Sequence, residues 1–209
     1  MPLYKSIKPN PHTEVKVWKI TESFEDLLKP ITLLPDRMKR VDGMKSEIHR
    51  RGFLSVRHLL AEFGYEDKDL YYDQYGKPHL TDGKHISITH SFEFSAVVVS
   101  DEVVGIDIEM QRSKIIKIGS KFCDFDNYHI CKSETEMVRK LTVIWCIKES
   151  LYKSYATPGL SFKEHCQVIP FMLDDGQTLS WILYEDKACR YTSHYFEFEG
   201  YTCAYIMPS

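Results

Sequence analysis

No stretch of the 209-residue chain approaches the ~18 consecutive apolar residues that a helix needs to cross a bilayer. The opening MPLYKSIKPNPHTEVKVWKI lacks even the run of about seven apolar residues found in a signal peptide, so a cytoplasmic location without a membrane partner is expected. The six cysteines, Cys123, Cys131, Cys146, Cys166, Cys189 and Cys203, include no CxxC pair, and a chain of this length holds itself together without staples; they read as buried free thiols. There is no low-complexity linker. Neither sign of charge dominates: 27 Lys and Arg face 30 Asp and Glu, a net charge of -3, which excludes a polycation built for nucleic acid. With 43% apolar and 27% charged residues, disorder and collagen-like repetition are excluded as well. The length allows one large domain or two modest ones.

Charge is concentrated locally instead. From Arg37 to Arg57 the chain carries Arg37, Lys39, Arg40, Lys45, Arg50, Arg51 and Arg57 against only Asp42 and Glu47, a local charge of +5. A helix is expected from Ser46 as cap, with Ile48, Val56, Leu59, Leu60 and Phe63 as its apolar side and Gly64 as its end. The basic residues would decorate its exposed side and the loop before it, either as an anion site or as a solvated face.

After the turn Gly76-Lys77-Pro78, His85 to His90 alternates polar and apolar residues at strand periodicity, placing Ser87 and Thr89 on one face and Ile86 and Ile88 on the other. Ala96 to Ser100, the turn Asp101-Glu102, and Val103 to Glu109 read as a strand, a tight turn and a second strand. Ser133-Glu134-Thr135-Glu136 is a capping box, opening an apolar-periodic helix over about 133–156 that ends by Pro158-Gly159. Thr178 to Tyr184, Arg190 to Phe198 and Tyr201 to Met207 read as three strands. This order gives two α+β units, 1–104 and 105–209.

Two residues apart on a strand, Asp107 and Glu109 project from one face while Ile106 and Ile108 point into the core. Adjacent carboxylates repel, and a hard divalent cation such as Mg²⁺ relieves that repulsion; a solvated strand edge is the alternative. Glu149 and Lys153 are helix neighbours at i, i+4, as a surface ion pair or as part of a site.

Gly76-Lys77-Pro78, then Ile86-Ser87-Ile88-Thr89-His90-Ser91, then Val104-Gly105-Ile106-Asp107-Ile108-Glu109, then Trp145-Cys146-Ile147-Lys148-Glu149-Ser150-Leu151-Tyr152-Lys153 together resemble the 4′-phosphopantetheinyl transferase superfamily. Length and two-half layout resemble its surfactin-synthetase-type branch, a monomer of two similar α/β halves with pseudo-twofold symmetry, each a small, mainly antiparallel sheet packed with a long helix. The resemblance implies transfer of the phosphopantetheine arm of coenzyme A to a serine of an apo acyl carrier protein or peptidyl carrier domain, with release of adenosine 3′,5′-bisphosphate. It implies that Asp107, Glu109 and Glu149 hold Mg²⁺, that Lys153 lies against the pyrophosphate, and that Glu149 is a candidate general base. Lys77 and His90 match coenzyme-binding positions, as does Thr89, which replaces the more usual serine. Arg40 and Arg50 are the nearest matches to residues that bind the 3′-phosphate. Residues 1–104 would be the coenzyme-phosphate side and 105–209 the metal side.

Two departures stand out. The usual glutamate after the metal strand falls on Asn127, with Asp124 or Asp126 as substitutes, and a usual lysine after the helix is lost at Thr157-Pro158-Gly159-Leu160. These departures leave open a non-catalytic module that binds coenzyme A or a carrier. The carboxylates alone would also suit a metal-dependent phosphodiesterase.

Overall fold

Leu3–Asn10 (β1) and Thr13–Lys19 (β2) form a hairpin in which Ile7 faces Val15 and Ser6 faces Lys16. The computed structural model describes residues 3–124 and 131–209. In chain order there follow Phe24–Leu28 (α1), Pro35–Asp42 (α2), Glu47–Glu62 (α3), Leu70–Tyr72 (β3), Pro78–Leu80 (β4), His85–Ser91 (β5) and Phe94–Ser100 (β6). Then come Gly105–Met110 (β7), Glu134–Tyr155 (α4), Cys166–Val168 (β8), Gln177–Tyr184 (β9), Lys187–Phe198 (β10) and Tyr201–Pro208 (β11). The chain divides into two units, Met1–Glu102 and Val103–Ser209. Both are mixed α and β with antiparallel sheets.

In the first unit the sheet order is β1-β2-β6-β5, and α3 packs on β2, β5 and β6. Every residue of β6 is buried, as befits a central strand. Leu54, Leu59 and Leu60 of α3 are buried with Val97, Val99 and Trp18 in one apolar cluster, each leucine contributing about 1.5–3 kcal/mol. Ser46 is the α3 N-cap residue, and Gly64 leaves the helix at φ +86°, where a side chain would be strained.

The surroundings of α3 correct the sequence reading in three places. Pro35 starts a helix, α2, where a loop was expected, since its fixed φ suits a first helical turn. Ile48 is 45% exposed and lies off the apolar side. Arg57 and Arg37 are internal rather than decorative: Asp67 Oδ1 accepts from Arg57 Nε at 3.0 Å and lies 3.8 Å from Arg37 Nη1, while Asp67 Oδ2 accepts from Leu34 N. Arg57 also donates to Phe53 O and Arg37 to Leu70 O, so one carboxylate ties together α2, α3 and the entry to β3. Burial depresses the Arg57 pKa, and Asp67 opposes that shift.

The second sheet has the order β7-β11-β10-β9-β8. Val103–Glu109 was expected to follow Ala96–Ser100 as strand, turn and strand. Both strands are present, and they belong to different sheets, β6 pairing with β2 and β5 and β7 with β11. Ser133 Oγ accepts from Glu136 N, but the reciprocal arm of the capping box reaches one residue further back, Glu136 accepting from Lys132 N. α4 ends at Ala156, which takes the left-handed conformation two residues before Pro158. Leu141, Ile144, Ile147 and Leu151 bury the helix in the second apolar cluster. None of the six cysteines is in a disulfide; four are buried, and Cys131 and Cys189 are half-buried.

The two units share an order of elements. In each, a strand (β2 or β7) precedes a long helix (α3 or α4), and the last two strands form a hairpin whose final member pairs with that first strand.

Asp67→Ala leaves two guanidiniums without their buried counter-charge. We expect a loss of about 3–5 kcal/mol, read as a lower urea midpoint at unchanged slope.

Candidate active site

β7 begins at Gly105 because nothing larger fits: a Cβ there would lie 1.9 Å from the Ser150 carbonyl oxygen of α4. Ser150 Oγ bonds the Cys146 and Ala204 carbonyls and so fixes the helix over β7 and β11. Asp107 and Glu109 stand opposite Ala204 and Thr202 in the ladder, on the face that α4 covers. The isoleucines are buried as expected, and the acids on the opposite face are covered as well, by α4. Ile106 and Ile108 are buried on the other face, at 0% and 1% exposure, but it is the acids that meet the helix.

Lys153 Nζ donates to Asp107 Oδ1 at 2.7 Å and to Ile106 O at 3.0 Å. Its ion pair is therefore made across to the strand rather than with Glu149 along the helix. Asp107 is 5% exposed, and Glu149 and Glu109 are half-buried. Burial pushes the Glu149 carboxyl up to about 7; Asp107 and Glu109 add to the rise and Lys153 opposes it. The Cys146 thiol, wholly buried, is held well above its ordinary range by burial and by the same two acids. The structure thus brings Asp107, Glu109, Glu149 and Lys153 together.

Among the described residues, no group of three His, Cys, Asp or Glu side chains stands ready to hold a metal ion. The donor chemistry nonetheless suits a hard cation. Lys153 pairs with Asp107, and Glu149 holds its proton to near neutrality because it is half-buried beside two further carboxylates, Asp107 and Glu109.

The remaining candidates lie in the first unit. Lys77, half-buried, sits in the turn between β3 and β4, where Asp73 Oδ1 accepts from Tyr75 N and Lys77 N. Burial lowers the Lys77 pKa, with Asp73 opposing. Thr89 is buried and His90 exposed at the end of β5, the His90 ring 6.1 Å from that of His49. Arg40 and Arg50 stand on different rings. Arg40, exposed on α2, lies 5.7 Å from the Phe53 ring and 5.8 Å from Tyr72, whereas Arg50 covers Phe24 at 3.8 Å.

Residues 103–206 match the family model described as the 4′-phosphopantetheinyl transferase superfamily. The chain belongs to that superfamily. It is similar to 4′-phosphopantetheinyl transferase gsp of Aneurinibacillus migulanus, 32% identical over 135 residues that cover 63% of this chain and 55% of that protein. It also resembles 4′-phosphopantetheinyl transferase Sfp of Bacillus subtilis (strain 168), 26% identical over 52% of this chain and 53% of that protein. Enterobactin synthase component D of Salmonella typhi is 27% identical over 58% of this chain and 53% of its own length. The chain spans about half the length of the curated relatives it matches.

Of this superfamily member's departures, Asp126 and Asn127 lie outside the described residues. Asp124 is exposed and pairs with Lys163 at 3.3 Å, so it is already engaged elsewhere. Pro158 stands in the turn after α4, followed by Gly159 at φ +89°. Sequence reasoning passed over two supports of the site. Gly105 was noted only as a junction, although a glycine opening a strand signals close backbone approach. Lys148, 3% exposed, donates its ammonium to Phe122 O and Phe162 O and so pins the segments flanking α4; nothing in the sequence around it signals a buried lysine.

Because Glu149 holds its proton more tightly in the folded chain than an ordinary glutamate does, its contribution to stability is full at low pH and declines as pH rises through about 7. In metal-free buffer, Glu149→Gln should match the parent's melting temperature at pH 5 and exceed it by about 2–6 °C at pH 8.

Proposed function

We propose that the chain is a Mg²⁺-dependent 4′-phosphopantetheinyl transferase of the surfactin-synthetase type. It moves the phosphopantetheine arm of coenzyme A onto a serine of an apo acyl or peptidyl carrier protein and releases adenosine 3′,5′-bisphosphate. The observation that carries this reading is that Asp107, Glu109 and Glu149 lie close enough to act on one another, with Lys153 paired to Asp107 and Glu149 raised to about 7. The names of the relatives support it. The shared order of strand, helix and hairpin in the two units supports reading them as the pseudo-repeat that the resemblance implies. No helix of the described residues is long and apolar enough to cross a membrane; a cytoplasmic, monomeric enzyme is part of the proposal.

Transfer to an alcohol asks for positioning and charge neutralisation more than for covalent chemistry. Asp107, Glu109 and Glu149 would hold Mg²⁺, which when bound neutralises charge on the pyrophosphate. Lys153 supplies a second positive group, its Nζ already directed at Asp107. Lys77, Thr89 and His90, with Arg40 and Arg50, are the coenzyme-phosphate contacts of residues 1–104. Glu149 takes the serine proton as the Oγ–P bond forms; the P–O bond to the adenosine 5′-phosphate breaks, and its electron pair leaves with adenosine 3′,5′-bisphosphate.

Incubation with coenzyme A, Mg²⁺ and an apo-carrier should add one phosphopantetheine mass to the carrier. Asp107→Ala and Glu149→Ala should lower the rate by at least about 100-fold while both variants stay folded. Coenzyme binding without any mass gain across several carriers would make the chain a binding module. Coenzyme cleavage without carrier would make it a phosphodiesterase.

A further inference from the structure

A glycine inside a helix costs about 0.5–1 kcal/mol relative to alanine, so one that persists in mid-helix has a local reason. Gly52 lies within α3, buried, with ordinary helical backbone. The reason is the ring of His90. A Cβ at Gly52 would stand 3.2 Å from His90 Cγ, 3.4 Å from Nδ1 and 3.5 Å from Cδ2, and these are the three nearest atoms it would meet. Ordinary carbon contacts lie at about 3.5–4.0 Å, so even one methyl group would displace the imidazole.

The height of the helix above this strand is fixed by a buried bond. Ser55 Oγ donates to Gly52 O at 2.8 Å and bonds Ser95 Oγ at 2.9 Å, both serines being 0% exposed. Ser95 is the residue directly opposite His90 in the ladder of β5 and β6. Helix, strand and imidazole therefore close a ring: Gly52 to Ser55, Ser55 to Ser95, Ser95 across to His90, and His90 back onto Gly52. His90 is otherwise exposed, so this floor restricts a side chain that burial does not hold.

We propose that Gly52 is a positioning residue for His90, its missing side chain setting where the imidazole meets a phosphate of coenzyme A. This rests on the transferase reading given above. Binding of coenzyme A, measured by calorimetry, separates the two. For Gly52→Ala we expect a melting temperature equal to or above the parent's, since alanine favours the helix, together with coenzyme binding about three- to tenfold weaker. In a His90→Ala background the same substitution should leave binding unchanged. The turnover number of Gly52→Ala with saturating coenzyme should stay near the parent's.

Parent-like binding by Gly52→Ala overturns the proposal while leaving the transferase reading intact. An equal loss in the His90→Ala background also overturns it, because Gly52 would then act through something other than the imidazole. Unchanged binding by His90→Ala removes His90 from the coenzyme site, and the proposal falls with it. Failure of the parent to bind coenzyme A at all overturns the transferase reading itself.

Discussion

The contact between Gly105 and the backbone of Ser150 is the constraint on which the second unit's chemistry depends. With no side chain between them, β7 and α4 approach closely enough for a strand carboxylate to meet a helix ammonium one turn beyond Ser150. Burying Asp107 beside Glu149 and Glu109 is costly even with the Lys153 ammonium hydrogen-bonded to Asp107, and the raised Glu149 carboxyl, itself half-buried, registers that cost. A hydrophobic core has no use for such an arrangement. On the proposed reading, a hard cation and a pyrophosphate together give it one.

In the first unit, a different buried charge organises the helices. Asp67 holds Arg57 and Arg37 inside the structure, so the +5 of residues 37–57 is smaller at the surface than the sequence count suggests. Arg40 stays exposed and Arg50 half-buried, each against aromatic rings that hold a guanidinium without neutralising it. One set of arginines maintains the fold and the other keeps its charge available.

Much of this architecture was legible from periodicity. α3, α4, β5, β6 and β9 to β11 appear where apolar spacing, caps and turns place them, and Gly64 and Pro158 mark helix ends for the expected steric reasons. The β1–β2 hairpin was not foreseen, because its lysines and prolines obscure the alternation. Alternation also fixes which residues share a face of β7 without saying which face the helix covers, so the burial of Asp107 under α4 was not legible in it. Likewise, turn chemistry at Asp101-Glu102 could not reveal that the strands on either side pair with different partners, since pairing is decided by contacts far away in sequence. The grouping of Asp107, Glu109, Glu149 and Lys153 came from motif order. Their mutual electrostatics required the packed structure.

The central claim is that these carboxylates are retained to hold a divalent cation beside the coenzyme. Mn²⁺ binding followed by electron paramagnetic resonance, with coenzyme A present, addresses it directly. The account predicts one tightly held Mn²⁺ per chain in the parent, and little or none in Asp107→Asn and Glu149→Gln variants that keep the parent's circular dichroism. Equal Mn²⁺ binding by parent and variants would contradict it.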